Sequence, residues 1–285
     1  MAIFTSAIGG RYAISQKMNW QTDSSISIAF IGASHITRGI DLTNIKHAAN
    51  FSKPSERYMF TYLKLERLLA ANESVDTIVL QCAPTDLWQH TDDKYFAENE
   101  MSEFIPLFYP LFGKQEWKAF SGHYVSLLKY IAQHAFDQSL FCENQYLERV
   151  GIKQEPELLI EKMDVKSVHK DLAKGDCGNN INIEYLNKII TICERYHKKI
   201  YLLYCPVYKP EYFYNQKEYY LKISEIRENK HITYLDYSHF YLPDSCFYDA
   251  HHLNAEGAKL FTEELFLAIR RQNTKYHSTD VQNKK

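Results

Sequence analysis

Four short, unbroken apolar runs constrain this chain more than any other feature. They are ISIAFIG (26–32), DTIVLQC (76–82), KIYLLYC (199–205) and ITYLDY (232–237), with a weaker fifth at HAANFS (47–52). A strand with one face in water alternates apolar and polar residues, whereas a strand covered on both faces stays apolar throughout. Runs of this kind therefore predict the buried strands of a parallel sheet. Parallel neighbours need crossover connections, and helical spacing fills the intervals. Tyr58, Tyr62, Leu65 and Leu69 recur every three or four residues after Pro54, with Met59 and Leu68 widening the stripe. Leu186, Ile189, Ile190, Cys193 and His197 repeat the pattern, as do Leu260, Phe261, Leu265, Ala268 and Ile269. Asn254 suits the N-cap of that last helix. Strands alternating with helices imply a parallel sheet with helices on both faces.

Residues 95–178 break this alternation. They are aromatic, then mixed in charge (KMDVKSVHKDLAKGD), and read as helices with irregular joins. Such an insertion either lies over the carboxyl edge of the sheet as a lid or substrate wall, or adds a helical layer with no functional role. Residues 272–285 are polar and lysine-rich, which predicts a frayed tail. With no internal repeat and no long linker, the reading is one domain with a core over about 24–271.

Composition narrows the function classes. A net charge of -2 leaves no basic footprint for nucleic acid. The 22 Tyr and 16 Phe either pack the interior or line a carbohydrate or acyl cleft. The six cysteines form no C-x-x-C pair, and three of them fall in apolar segments, which favours a reducing compartment. No signal-peptide-like run or membrane-spanning stretch is evident, so the chain as given reads as cytoplasmic; a longer natural chain would be extracytoplasmic. No G-x-G-x-x-G follows a strand, and no cofactor is implied.

Ser34 follows the first strong strand by the tight Gly32-Ala33 step, at the edge where open parallel sheets bind ligands. A serine hydroxyl needs a base to take its proton and a third group to orient that base. FYDAHHLNAEGAKLF (247–261) supplies both, since Asp249 and His252 are three apart just before the last helix. By itself D-x-x-H reads first as a surface loop with a helix cap. His35 and His251 flank this group, but adjacent histidines point apart and no H-x-x-x-H is present, so no metal site is expected. Arg38 either binds a substrate carboxylate or phosphate or pairs with Asp41. Asp86 and Trp88 either contact a sugar or form a structural turn.

GASH (32–35) and DAHHLNAEGA (249–258) resemble the first and last blocks of the SGNH (GDSL-type) hydrolase superfamily, closest to bacterial members that attach or remove acyl groups on polysaccharides. Arg38, Gly39, Ile40 and Asp41 match the segment that follows the first block, and YLLYCPVYKPEYF (201–213) resembles the family's strand and proline loop. The resemblance implies a flavodoxin-like, three-layer α/β/α domain with a helical insertion. It implies a serine esterase or O-acyltransferase for acyl esters of a carbohydrate, acetyl above all. Ser34 is then the nucleophile, His252 the general base and acid, and Asp249 the orienting carboxylate. The Ser34 N–H becomes the first oxyanion donor, and Ser52 in NFSKPS takes the place of the second block's glycine. The third block's asparagine is missing from LQCAPTDLW, where Gln81, Thr85 and Asp86 are the nearest polar residues. That departure keeps a rival open: a catalytically weak or inactive module that binds a glycan or supports polysaccharide assembly.

Overall fold

The apolar runs become five parallel strands, β1 (Ile28–Ile31), β2 (Ala48–Asn50), β3 (Thr77–Gln81), β4 (Lys199–Tyr204) and β5 (Ile232–Asp236). The structure is a computed structural model that describes residues 9, 20–88, 91–133, 180–210, 216–229 and 231–282. Strand order is β2-β1-β3-β4-β5, the flavodoxin-like doubly wound order. Ile28 pairs with Ala48 on one side and Thr77 on the other. At the far edge Ile31 lies beside Leu80, Gln81 beside Leu203 and Tyr204 beside Asp236, so the carboxyl ends emerge together.

The helices are α1 (Ser34–Gly39), α2 (Tyr58–Ala71), α3 (Pro84–Leu87), α4 (Thr91–Tyr95), α5 (Glu98–Phe108), α6 (Lys114–Ala119), α7 (Tyr124–Gln133), α8 (Ile181–Arg195), α9 (Gln216–Ile226) and α10 (Ala255–Gln282). Because strand side chains alternate, each strand feeds two cores. Phe30, Val79, Tyr201 and Leu203 face Ile36 of α1 and Phe261, Leu265 and Ile269 of α10. Ala29, Ile31, Ile78, Leu80, Ile200 and Leu202 face α2, α8 and α9. Two helical layers thus cover one sheet, as the unbroken apolar runs require.

The described part of the insertion, residues 95–133, enlarges the α2-side core. Phe60 of α2 lies 5.0 Å from both Phe104 and Phe108 of α5, and Phe96 packs edge-on against Phe120. Most of its aromatic residues therefore form a packing layer, with Tyr124 exposed; residues 134–178 lie outside those described. The backbone of α10 continues through Gln282. A helix that is already nucleated gains one hydrogen bond for each residue added, so polar composition alone does not end it.

One buried ion pair anchors the loop after β2. Lys64 of α2 donates to Glu56 Oε2 at 2.6 Å and to the Phe51 carbonyl at 2.5 Å, while Thr61 donates to Glu56 Oε1 at 2.7 Å. Burial pushes both groups toward their neutral forms, and each partner's charge opposes that. Cys82, Cys193, Cys205 and Cys246 are buried and joined by no disulfide among the described residues. Among the described residues no helix is long and apolar enough to cross a membrane.

Candidate active site

The site is built where β1 gives way to α1. Gly32 has a φ of 139°, a region that side chains disfavour, and an added β-carbon would lie 2.5 Å from Gln81 Cβ. Only glycine lets the end of β1 pass this close to the end of β3. The chain then turns through Ala33 and begins α1 at Ser34, half-buried at the carboxyl edge of the sheet.

The second half of the site comes from the turn before α10. Asp249 Oδ1 accepts the backbone N–H groups of His251 at 2.7 Å and His252 at 2.9 Å, so the carboxylate organises its own loop. Asn254 caps α10 by accepting the Gly257 N–H at 3.1 Å. Gly257 approaches the Cys246 carbonyl so closely that a β-carbon would sit 2.1 Å from that oxygen. The glycine of the last block therefore has a packing reason: it lets the start of α10 close onto the 244–246 turn.

These two halves meet. His252 Nε2 lies 2.8 Å from Ser34 Oγ, and His252 Nδ1 lies 2.8 Å and 2.9 Å from the two oxygens of Asp249. With Nδ1–H donating to the carboxylate, Nε2 is left to accept the serine proton. Burial by itself would raise the Asp249 pKa. The hydrogen bond and charge of His252 and the His251 N–H outweigh it and hold the group at about 2. The carboxylate is therefore ionised throughout the neutral range. An arrangement of this kind suits proton abstraction from Ser34 and its return to a leaving group.

A model of an uncharacterised family matches residues 134–273, which carry Asp249 and His252 but not Ser34. No curated protein matches the chain.

The remaining candidates are placed differently. Ser52 is buried, donates its N–H to Asn50 Oδ1 at 3.1 Å, and shares hydroxyl hydrogen bonds with Asn50 at 2.6 Å and Thr37 at 2.8 Å. Its polar groups brace the loop after β2 against α1. Asp86 and Trp88 are buried, and the Asp86 carboxylate accepts from the Gln81 amide and the Ala83 N–H. Burial raises the Asp86 pKa, opposed by hydrogen bonds from the Ala83 N–H and the Gln81 amide. Thr85 stays half-buried on α3. The Arg38 guanidinium lies over the Tyr248 ring at 4.6 Å, and the Asp41 carboxylate accepts from the Thr43 N–H and hydroxyl.

His35 is the closest unassigned group. Its ring lies edge-on to His252 at 5.3 Å and 6.3 Å from His251, and its Nδ1 is buried without a hydrogen-bond partner. Burial, then the charges of His252 and His251, hold its pKa well below the usual histidine value. Among the described residues no group of three His, Cys, Asp or Glu side chains is arranged to hold a metal ion. Asn50 is a residue whose part the sequence does not declare: it donates to the Ile36 carbonyl at 3.1 Å and so fixes α1 from below. A buried polar residue ending an apolar run is the signal that could have marked it, and it marks Gln81 in the same way.

Proposed function

We propose that this chain is a serine esterase or O-acyltransferase of the SGNH type, acting on acyl esters of a carbohydrate, acetyl esters first. The observation that carries the reading is the unbroken hydrogen-bonded path from Ser34 Oγ through His252 to Asp249. Its blocks at 32–35 and 249–258 supply the family context, and the carbohydrate rests on that resemblance alone. In this mechanism Ser34 Oγ attacks the acyl carbon as its proton passes to His252 Nε2. The carbonyl oxygen becomes an oxyanion that accepts from the Ser34 N–H. As the ester C–O bond breaks, His252 returns the proton to the departing sugar oxygen and an acyl-Ser34 remains. Water or a second sugar hydroxyl, deprotonated by His252, then takes the acyl group and frees the serine. Ser34→Ala should abolish turnover of p-nitrophenyl acetate and the acyl-enzyme with it; unchanged turnover defeats the reading.

One observation favours a second reading, a weak or inactive module that binds a glycan or supports polysaccharide assembly. The Ser52 N–H is spent on Asn50, and no asparagine follows β3. Loss of one oxyanion donor costs ~2.7–4 kcal/mol of transition-state stabilisation. A fluorophosphonate probe separates the two: labelling that needs both Ser34 and His252 supports the enzyme, and glycan binding without labelling supports the module.

A further inference from the structure

The turn that presents Ser34 has no cap of its own. Ala33 stands at the N-cap position of α1 and offers no side-chain acceptor. The acceptor comes from the neighbouring strand instead. Gln81 Oε1 receives the N–H groups of Ala33 at 3.1 Å, His35 at 3.1 Å and Ile36 at 3.3 Å. The one N–H passed over in this run is that of Ser34, which has no acceptor among the described residues.

The amide is itself held in one orientation. Gln81 Nε2 donates to both oxygens of Asp86, at 3.0 Å and 3.1 Å, and Asp86 Oδ2 also accepts the Ala83 N–H at 2.8 Å. An ionised carboxylate only accepts, so it binds the NH2 end of the amide and turns the oxygen toward α1. The backbone of β3 is pinned at the same point, since Tyr58 donates to the Gln81 carbonyl at 2.7 Å and Tyr219 to the Cys82 carbonyl at 2.6 Å. Every group in the path is buried.

We infer that Gln81, oriented by Asp86, is a positioning residue for the nucleophile. It gathers the three flanking N–H groups, leaves the Ser34 N–H alone for the acyl oxygen, and keeps Ser34 Oγ within reach of His252. The inference rests on the esterase reading above and adds to it the element that replaces a local cap. It also explains why a polar residue ends the otherwise apolar strand β3.

The test uses p-nitrophenyl acetate and a fluorophosphonate probe on the full chain. Gln81→Leu keeps similar bulk and removes the acceptor. It should lower kcat by roughly 10²-fold, the loss typical of a misplaced reacting group, with KM little changed and fluorophosphonate labelling slowed in parallel. Gln81→Glu is the near-isosteric control. While it shares a proton with Asp86 it mimics the amide; once that proton is lost, a second negative charge stands beside the developing oxyanion. The ratio of Gln81→Glu to wild-type kcat should therefore fall as pH rises. Gln81→Leu kcat within about threefold of wild type overturns the inference. If Gln81→Leu does not fold, a pH-independent ratio for Gln81→Glu overturns it. Absence of Ser34-dependent labelling in the wild type is a different result, which removes the esterase reading and this inference with it.

Discussion

Gly32 and Gln81 occupy adjoining space so tightly that a β-carbon on one would lie 2.5 Å from the β-carbon of the other. The end of β1 and the end of β3 are thus a matched pair, and the first block's glycine is explained by its neighbour across the sheet. Gly32→Ala must either displace Gln81 or move the β1–α1 turn, at a φ that alanine tolerates poorly. The variant should lose at least about 1–3 kcal/mol of stability from the backbone strain alone. Urea denaturation measures that loss; a midpoint equal to wild type would mean the turn has slack that this packing does not provide.

Asp249→Asn should keep the loop, because an amide oxygen still accepts the His251 and His252 N–H groups, yet it no longer fixes the imidazole with Nδ1 protonated. By analogy with the Ser-His-Asp triad, kcat should drop roughly 10⁴-fold. Retention of near wild-type kcat would remove the carboxylate from the mechanism.

The same carboxylate makes a pH prediction for stability. Its pKa falls from 3.8 to about 2 on folding, so its contribution is fully present above about pH 4 and lost as pH falls through about 2. The size follows from the shift, about 2 kcal/mol. Wild type and Asp249→Asn should therefore differ in denaturation midpoint at pH 6 and converge near pH 2. A gap of constant size across that range contradicts the assignment.

His35 acts in the same sense at higher pH. Its folded pKa lies well below 6.5, so the unfolded chain binds a proton there that the folded chain resists. The contribution is present above about pH 6.5 and is lost progressively below it. His35→Gln should flatten the decline in stability between pH 7 and pH 5 relative to wild type. Parallel curves for the two proteins would exclude His35 as a source of acid sensitivity.

Lys64 and Glu56 are both almost wholly buried. Lys64→Met leaves the Glu56 carboxylate with the Thr61 hydroxyl and the more distant charge of Lys53 and should cost about 3–5 kcal/mol, whereas Lys64→Met with Glu56→Leu should cost less than Lys64→Met alone. Thermal or urea unfolding of the two variants checks the order; a double variant less stable than the single one reverses the argument.

The strands were readable because each buries both faces, which leaves an unbroken apolar run in ISIAFIG and KIYLLYC. Ser34, Asp249 and His252 were readable as candidates because their spacing and strand-end setting are local features. Gln81 was visible only as a polar residue in an apolar run. Its work depends on β3 lying beside β1, a neighbour relation that no local pattern encodes. Lys64 carries no local mark of its burial for the same reason, since its partner belongs to the loop after β2. Ser52 stands out by likeness to a sequence block, whereas its hydrogen bonds with Asn50 and Thr37 depend on neighbours that the block does not name.

Ser34 and His252 are separated by 218 positions yet stand within hydrogen-bond distance. A chain emerging during synthesis therefore exposes its serine long before the imidazole that partners it. The pair cannot assemble until β1, β3 and the start of α10 have come into register, so a half-folded chain holds an unassisted hydroxyl. Covalent capture of Ser34 would then act as a clock, recording when the last helix docks and not when the first strand forms.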